Sequence, residues 1–234
     1  MPSVILHLHI PKTGGTSLKA LFEANIDAGQ IIDLSQGLHG IVSAFHRIKA
    51  NHQDVAMVTT AANFGIHEFI PFGPRTYSYC TMVRHPVSYL KSLYYHCRRT
   101  PTSAFHRLAN DLDLRSWFLA PHRPTNGQTY MLSGYGETKG LAAARRNLLE
   151  RIEVFGLTER FADSVALICR HYGFHNNAVP HLNIGDGGKA ETISDEELLT
   201  LCGRSDAQDI ELYQEAQAVF LVRLAASSSN LVRA

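Results

Sequence analysis

The pattern of this chain predicts an α/β fold, a central parallel sheet flanked by helices, and three observations predict it. Val4-Ile5-Leu6-His7-Leu8 is apolar and β-leaning, and a glycine-bearing turn separates it from an apolar-periodic stretch, Leu18, Leu21 and Phe22. Thr76–Val83 is a second strongly β-forming run, and Pro86 just beyond it suits the first turn of a helix. Extended and helical patterns keep alternating along the chain. That order builds a parallel sheet and collects ligands beyond the carboxyl ends of its strands.

Taken in order, the strand at Val4–His9 leads to a helix from Thr16 to about Asn25, and Ile31-Ile32 forms a short strand. Ile41, Phe45 and Ile48 share one face of a helix over Ile41–Ala50. Val55–Thr59, apolar and β-branched, is a further parallel strand, with Asn63-Phe64-Gly65-Ile66-His67-Glu68 at its outlet. Pro71–Pro74 makes a turn before the strand at Thr76–Val83, and the helix opened by Pro86 runs to about Arg98. Pro101–Gly136 reads as short helices broken by Pro121, Pro124 and Gly127. A helix over Leu141–Leu149, a strand over Ile152–Leu157 and a helix over Glu159–Tyr172 follow, the last with Thr158 as its N-cap. Val179–Ala190 is a polar, Gly-rich loop. Ser194 and Glu197 then form a capping box, and Asp206–Leu224 is the last long helix. Residues 1–226 are expected to make one domain, and 227–234, opening on three serines, a flexible tail.

With 234 residues, 45% of them hydrophobic and 18% charged, the chain can build one large core and is not of the disordered class. A net charge of +1 confines any anion site to a local patch and gives no reason to expect a nucleic-acid partner. No run of eighteen apolar residues exists, so no transmembrane segment is expected, and the N-terminus lacks a basic-then-apolar leader; a cytoplasmic protein is the expectation. Cys80, Cys97, Cys169 and Cys202 are scattered, with no CxxC pair and no histidine at ligand spacing, which predicts reduced thiols and no metal site.

The richest chemistry lies in His9-Ile10-Pro11-Lys12-Thr13-Gly14-Gly15-Thr16-Ser17-Leu18. Two glycines let the backbone approach a bulky anion, and the first N–H groups of the following helix have no intrahelical partner. Those groups, the helix dipole, the Lys12 ammonium and the hydroxyls of Thr13, Thr16 and Ser17 can converge on one phosphate. The order is not Walker A, because the lysine precedes the glycines. A second strand-to-helix passage, Val83-Arg84-His85-Pro86-Val87-Ser88-Tyr89-Leu90-Lys91-Ser92, puts an arginine at a strand end and a serine two helical turns further on. A guanidinium there can donate two parallel hydrogen bonds to one phosphate.

Pro11-Lys12-Thr13-Gly14-Gly15-Thr16-Ser17 resembles the phosphosulfate-binding loop of sulfotransferases that use 3′-phosphoadenosine 5′-phosphosulfate (PAPS), in particular the Golgi-type carbohydrate sulfotransferases (family 2) and their bacterial relatives. Val-Arg-His-Pro-Val is similar to that family's run at the strand end, and Phe155-Gly156-Leu157-Thr158-Glu159-Arg160-Phe161 to its strand-to-helix corner. Asn126-Gly127-Gln128-Thr129 and Asp209-Ile210-Glu211-Leu212-Tyr213 resemble a segment near the family's substrate cleft and its C-terminal helix, and read as fold markers. The resemblance implies a P-loop-like nucleotide-binding sulfotransferase fold, PAPS as co-substrate, and a hydroxyl acceptor on a carbohydrate or glycolipid. The Golgi members' membrane anchor is missing here, which implies a bacterial, cytoplasmic enzyme.

By that resemblance, Lys12 stabilises charge on the bridging oxygen, Gly14 to Ser17 hold the 5′-phosphate, and Arg84 with Ser92 grip the 3′-phosphate. Lys189, the only basic residue of the Gly-rich loop, is a further phosphate contact. His67 falls where the family places a catalytic histidine, although Ile66 separates it from Gly65; Glu68 is the neighbouring alternative. Two other readings stand beside this one. A nucleotide-dependent kinase on a similar fold lacks its expected Gly-Lys-Ser/Thr order, and a non-catalytic protein binding 3′-phosphoadenosine nucleotides would keep the same cradle.

Overall fold

A computed structural model describes residues 3–34, 37–51, 53–70, 75–177 and 193–229. Five strands form its sheet: β1 (Val4–Leu8), β2 (Ile31–Asp33), β3 (Met57–Thr60), β4 (Tyr77–Val83) and β5 (Val154–Leu157). All five residues of β1 and all four of β3 and β5 are buried, as near-continuous apolar runs require in a sheet covered on both faces. The order is β2-β3-β1-β4-β5 and every pairing is parallel.

The helices are α1 (Gly15–Glu23), α2 (Gly37–Asn51), α3 (Pro86–Arg99), α4 (His106–Asp111), α5 (Leu114–Leu119), α6 (Gly127–Ser133), α7 (Leu141–Arg146), α8 (Phe161–Tyr172), α9 (Asp195–Ser205) and α10 (Ala207–Ser229). One apolar layer joins Leu18, Leu21 and Phe22 of α1 and Ile168 of α8 to Met57, Cys80 and Met82 of the sheet. A larger one gathers Leu6, Leu8, Val58, Tyr79 and Val83 with Leu90 of α3, Leu132 of α6, and Tyr213 and Phe220 of α10.

Strand order decides where a ligand goes. From β1 the chain crosses by α1 to β2, on one side of the sheet; from β4 it crosses to β5, on the other. Adjacent strands whose connections diverge leave a crevice at their carboxyl ends, and β1 and β4 are that pair. Leu8 lies opposite Thr81, so the residues just past them, Lys12 to Ser17 and Arg84, open onto one crevice.

Most element boundaries fall within a few residues of the sequence pattern, and three departures have physical causes. The α7 region widens into a π-turn over Asn147–Arg151 before β5, so the α-helix ends earlier than its periodicity. Thr158 does not cap a helix: Thr158–Arg160 is a 3-10 turn, α8 starts at Phe161, and the Thr158 hydroxyl donates instead to the carbonyls of Thr13 (2.7 Å) and Val83 (3.2 Å). The last helix continues through Ser227–Ser229, into the stretch expected to be a tail; 230–234 lie outside the described residues, as do the turn at Pro71–Pro74 and the whole Gly-rich loop. Ser194 does cap α9, accepting from the Glu197 amide at 3.2 Å. No helix among the described residues is long and apolar enough to cross a membrane.

Candidate functional site

The chain between β1 and α1 is held in an unusual shape. Lys12 has φ 68 and Gly14 has φ 89, so two left-handed residues turn the backbone over the end of β1. Glycine takes that conformation without strain, whereas a lysine there costs on the order of 1 kcal/mol, the kind of cost that persists where a site requires it. A side chain at Gly15 is excluded by packing, since its Cβ would stand 2.1 Å from the His9 ring. His9 is itself stacked on His7, with centroids 5.5 Å apart at 11°. Burial and the charge of His9 drive the His7 imidazole down to about 3, so it is a neutral core group bonded to Thr59 (2.9 Å).

Helix α1 therefore begins with its amides facing the crevice. Its N-cap is Gly14, no side chain caps it, and its first turn carries no acidic residue. Uncapped N–H groups at the positive end of a helix dipole are anion ligands. Around them Thr16 is exposed and Ser17 buried. Thr13 is different from the expectation: its hydroxyl proton goes to the Ile10 carbonyl (2.8 Å) in a fully buried position, so it braces the turn.

Arg84 closes the other side. Its Nη1 donates to the Lys12 carbonyl at 2.9 Å, tying the end of β4 to the loop after β1. Its Nε is buried without a hydrogen-bond partner, with Glu159 Oε1 at the 4.0 Å limit of an ion pair. Burial lowers the pKa of Arg84, opposed by Glu159; burial, then Arg99 and Arg84, lowers that of Lys12. Two cations partly stripped of water, beside an uncapped helix end, form a local field that an anion would relieve. Ser92 lies two turns along α3, half-buried, and shares a helix face with Ser88.

His67 lies in the turn after β3. After β3 the chain makes a 3-10 turn, Ile66–Phe69, that folds back over the sheet. The imidazole lies 5.2 Å from the Tyr77 ring and 5.5 Å from that of Tyr79, over the amino-terminal half of β4. Arg84 is five residues beyond Tyr79, roughly 16 Å along an extended chain. The Tyr79 hydroxyl accepts from the amides of Gly65 (3.2 Å) and His67 (3.4 Å), and shares a hydrogen bond of 2.8 Å with His67 Nδ1. Burial lowers the pKa of His67, against the pull of Glu68. The structure thus joins Arg84 to the loop from Lys12 to Ser17, and packs His67 against Tyr77 and Tyr79. Lys189 lies outside the described residues.

Three contributors escaped the sequence reading. Gln128, buried, accepts from the Arg84 amide and donates to the Arg84 carbonyl, both at 2.8 Å. Thr158 pins the loop as described above. Glu159 accepts from the His85 amide (3.0 Å) and the Tyr213 hydroxyl (2.9 Å), holding the start of α3 to α10. Gln128 and Thr158 stand in segments whose resemblance was legible, but their partners are 44 and 145 residues away, a pairing no local pattern encodes.

No family model and no curated protein matches the sequence. Among solved structures, mouse sulfotransferase SULT7A1 complexed with PAP is similar at 14% identity and a TM-score of 0.45, over 89% of this chain and 66% of that one. The chain thus spans just under two thirds of that protein's length, and a likeness of this degree has no bearing on ligand or chemistry.

Proposed function

We propose that the crevice between β1 and β4 binds a 3′-phosphorylated adenosine nucleotide and that the protein transfers the sulfuryl group of PAPS to a hydroxyl, on a carbohydrate or glycolipid. The observation that carries this reading is the bond from Arg84 Nη1 to the Lys12 carbonyl, with the adjoining Nε buried and unbonded next to the uncapped start of α1. Two phosphate-ready elements from distant parts of the sequence are locked together, and the residues match, in order and type, the loop and strand end of the family named above.

In this reading the Gly14–Ser17 amides hold the 5′-phosphate, Arg84 and Ser92 the 3′-phosphate, and Lys12 meets charge that develops on the departing bridging oxygen. Sulfuryl transfer resembles phosphoryl transfer in depending on position and electrostatics. An ammonium that interacts more strongly with the transition state than with the ground state raises turnover, not affinity alone. The proposal rests on the nucleotide side.

Transfer of labelled sulfate from PAPS to a panel of glycans and glycolipids tests it. Wild-type protein should label at least one acceptor, and Lys12→Ala should lower turnover by about 10²–10³-fold, the loss typical of one removed charge-stabilising donor. Unchanged turnover in that variant would make the loop a fold element only.

A further inference from the structure

Arg84 can select a phosphate only if its guanidinium is aimed, and the bond of Nη1 to the Lys12 carbonyl holds the head of the side chain but not the backbone that carries it. The residue follows the last residue of β4 and precedes α3, so neither a strand ladder nor a helix fixes its peptide groups. What fixes them is one side chain. Gln128 Oε1 accepts from the Arg84 N–H and Gln128 Nε2 donates to the Arg84 carbonyl, both at 2.8 Å, so the residue is gripped at both of its backbone polar groups. Gln128 is 2% exposed, and an amide of that length matches the donor–acceptor spacing of a residue in extended conformation.

Gln128 is held in turn. Helices α6 and α10 meet at their N-termini and cap each other. Asp209 of α10 accepts from the amides of Gln128 (3.2 Å) and Thr129 (2.7 Å) at the start of α6. Asn126, just before α6, accepts from the amides of Gln208 (3.0 Å) and Asp209 (3.1 Å) at the start of α10. Asp206 accepts from the Asn126 amide at 2.9 Å and pairs with the buried Arg123 guanidinium. A rigid joint made far along the chain thus ends, through one amide, on the backbone of the arginine in the crevice.

We infer that Gln128 is a positioning residue: it touches no nucleotide, and it sets the protein's preference for nucleotides bearing a 3′-phosphate by orienting Arg84. The inference rests on the functional reading above, which supplies the nucleotide. Calorimetric titration with adenosine 3′,5′-bisphosphate and adenosine 5′-monophosphate separates the two. Gln128→Met, of similar volume and apolar, should raise Kd for the bisphosphate about tenfold and leave the monophosphate within twofold, since two hydrogen bonds are lost at one residue. In an Arg84→Ala background the same substitution should change neither value further, because a positioning residue has no effect once its target is gone. Gln128→Asn, polar and one methylene too short, serves the same test if the methionine variant does not fold. Equal losses for both nucleotides, preserved discrimination, or a full additional loss on Arg84→Ala would each overturn the inference alone. A wild-type protein that binds neither nucleotide would overturn the functional reading, and the inference with it.

Discussion

Lys12 combines a left-handed backbone with an ammonium depressed by burial and by two nearby guanidinium groups. Neither property favours the folded chain, and both become intelligible if an anion completes the site. At the same scale the sequence was informative about residue type and uninformative about side-chain direction. Lys12, Gly14, Gly15 and Arg84 were legible because a strand end, a glycine turn and a helix start are local patterns. Thr13, a ligand by the loop pattern, turns its hydroxyl into the loop, and the ring of His67, a base by its position, shares a hydrogen bond with Tyr79, 12 residues on. If that bond governs its chemistry, His67→Ala should keep transferase turnover within a few-fold of wild type and lower the thermal midpoint, through loss of a half-buried ring. A loss of roughly 10²–10⁴-fold, the usual contribution of a general base, would show that the 3-10 turn moves during catalysis and would restore the residue to the reaction.

Among the elements, α1, α3, α6 and α10 matter most. Periodicity found all four, because each buries an apolar stripe, but it could not show that two of them cap each other. Mutual capping is a contact between residues about 80 positions apart, and each helix alone looks poorly or ordinarily capped. The joint has a measurable signature. Burial pushes the Asp209 carboxyl up to about 6, against the N–H groups that bond it. Between its unfolded value of about 3.9 and that point the folded chain keeps a proton the unfolded chain has lost, so stability declines as pH rises through this window and levels off above it. Asp209→Asn removes the titration. The difference in thermal midpoint between wild type and variant should therefore shrink as pH climbs from about 4 to about 6.5 and then stay constant. A difference that is flat or widens across that range would mean the carboxyl titrates normally.

For the molecule as a whole, the alternation of strands and helices was enough to give a parallel sheet, since a βα order leaves few other solutions. Strand order was not legible: nothing local in Val55–Thr60 says that it pairs between β1 and β2, and that placement makes β1 and β4 neighbours. The neighbourhood is the decisive fact of the architecture, because it sets the loop after β1 and the end of β4, 72 residues apart, within one hydrogen bond of each other. The most direct test of the account is calorimetric titration of wild type and Arg84→Ala with adenosine 3′,5′-bisphosphate. Wild type should show saturable one-to-one binding and the variant a loss of about 10- to 100-fold, the range for a removed charge-assisted bond to phosphate. Absence of binding by wild type, or equal affinity in the two proteins, would contradict it.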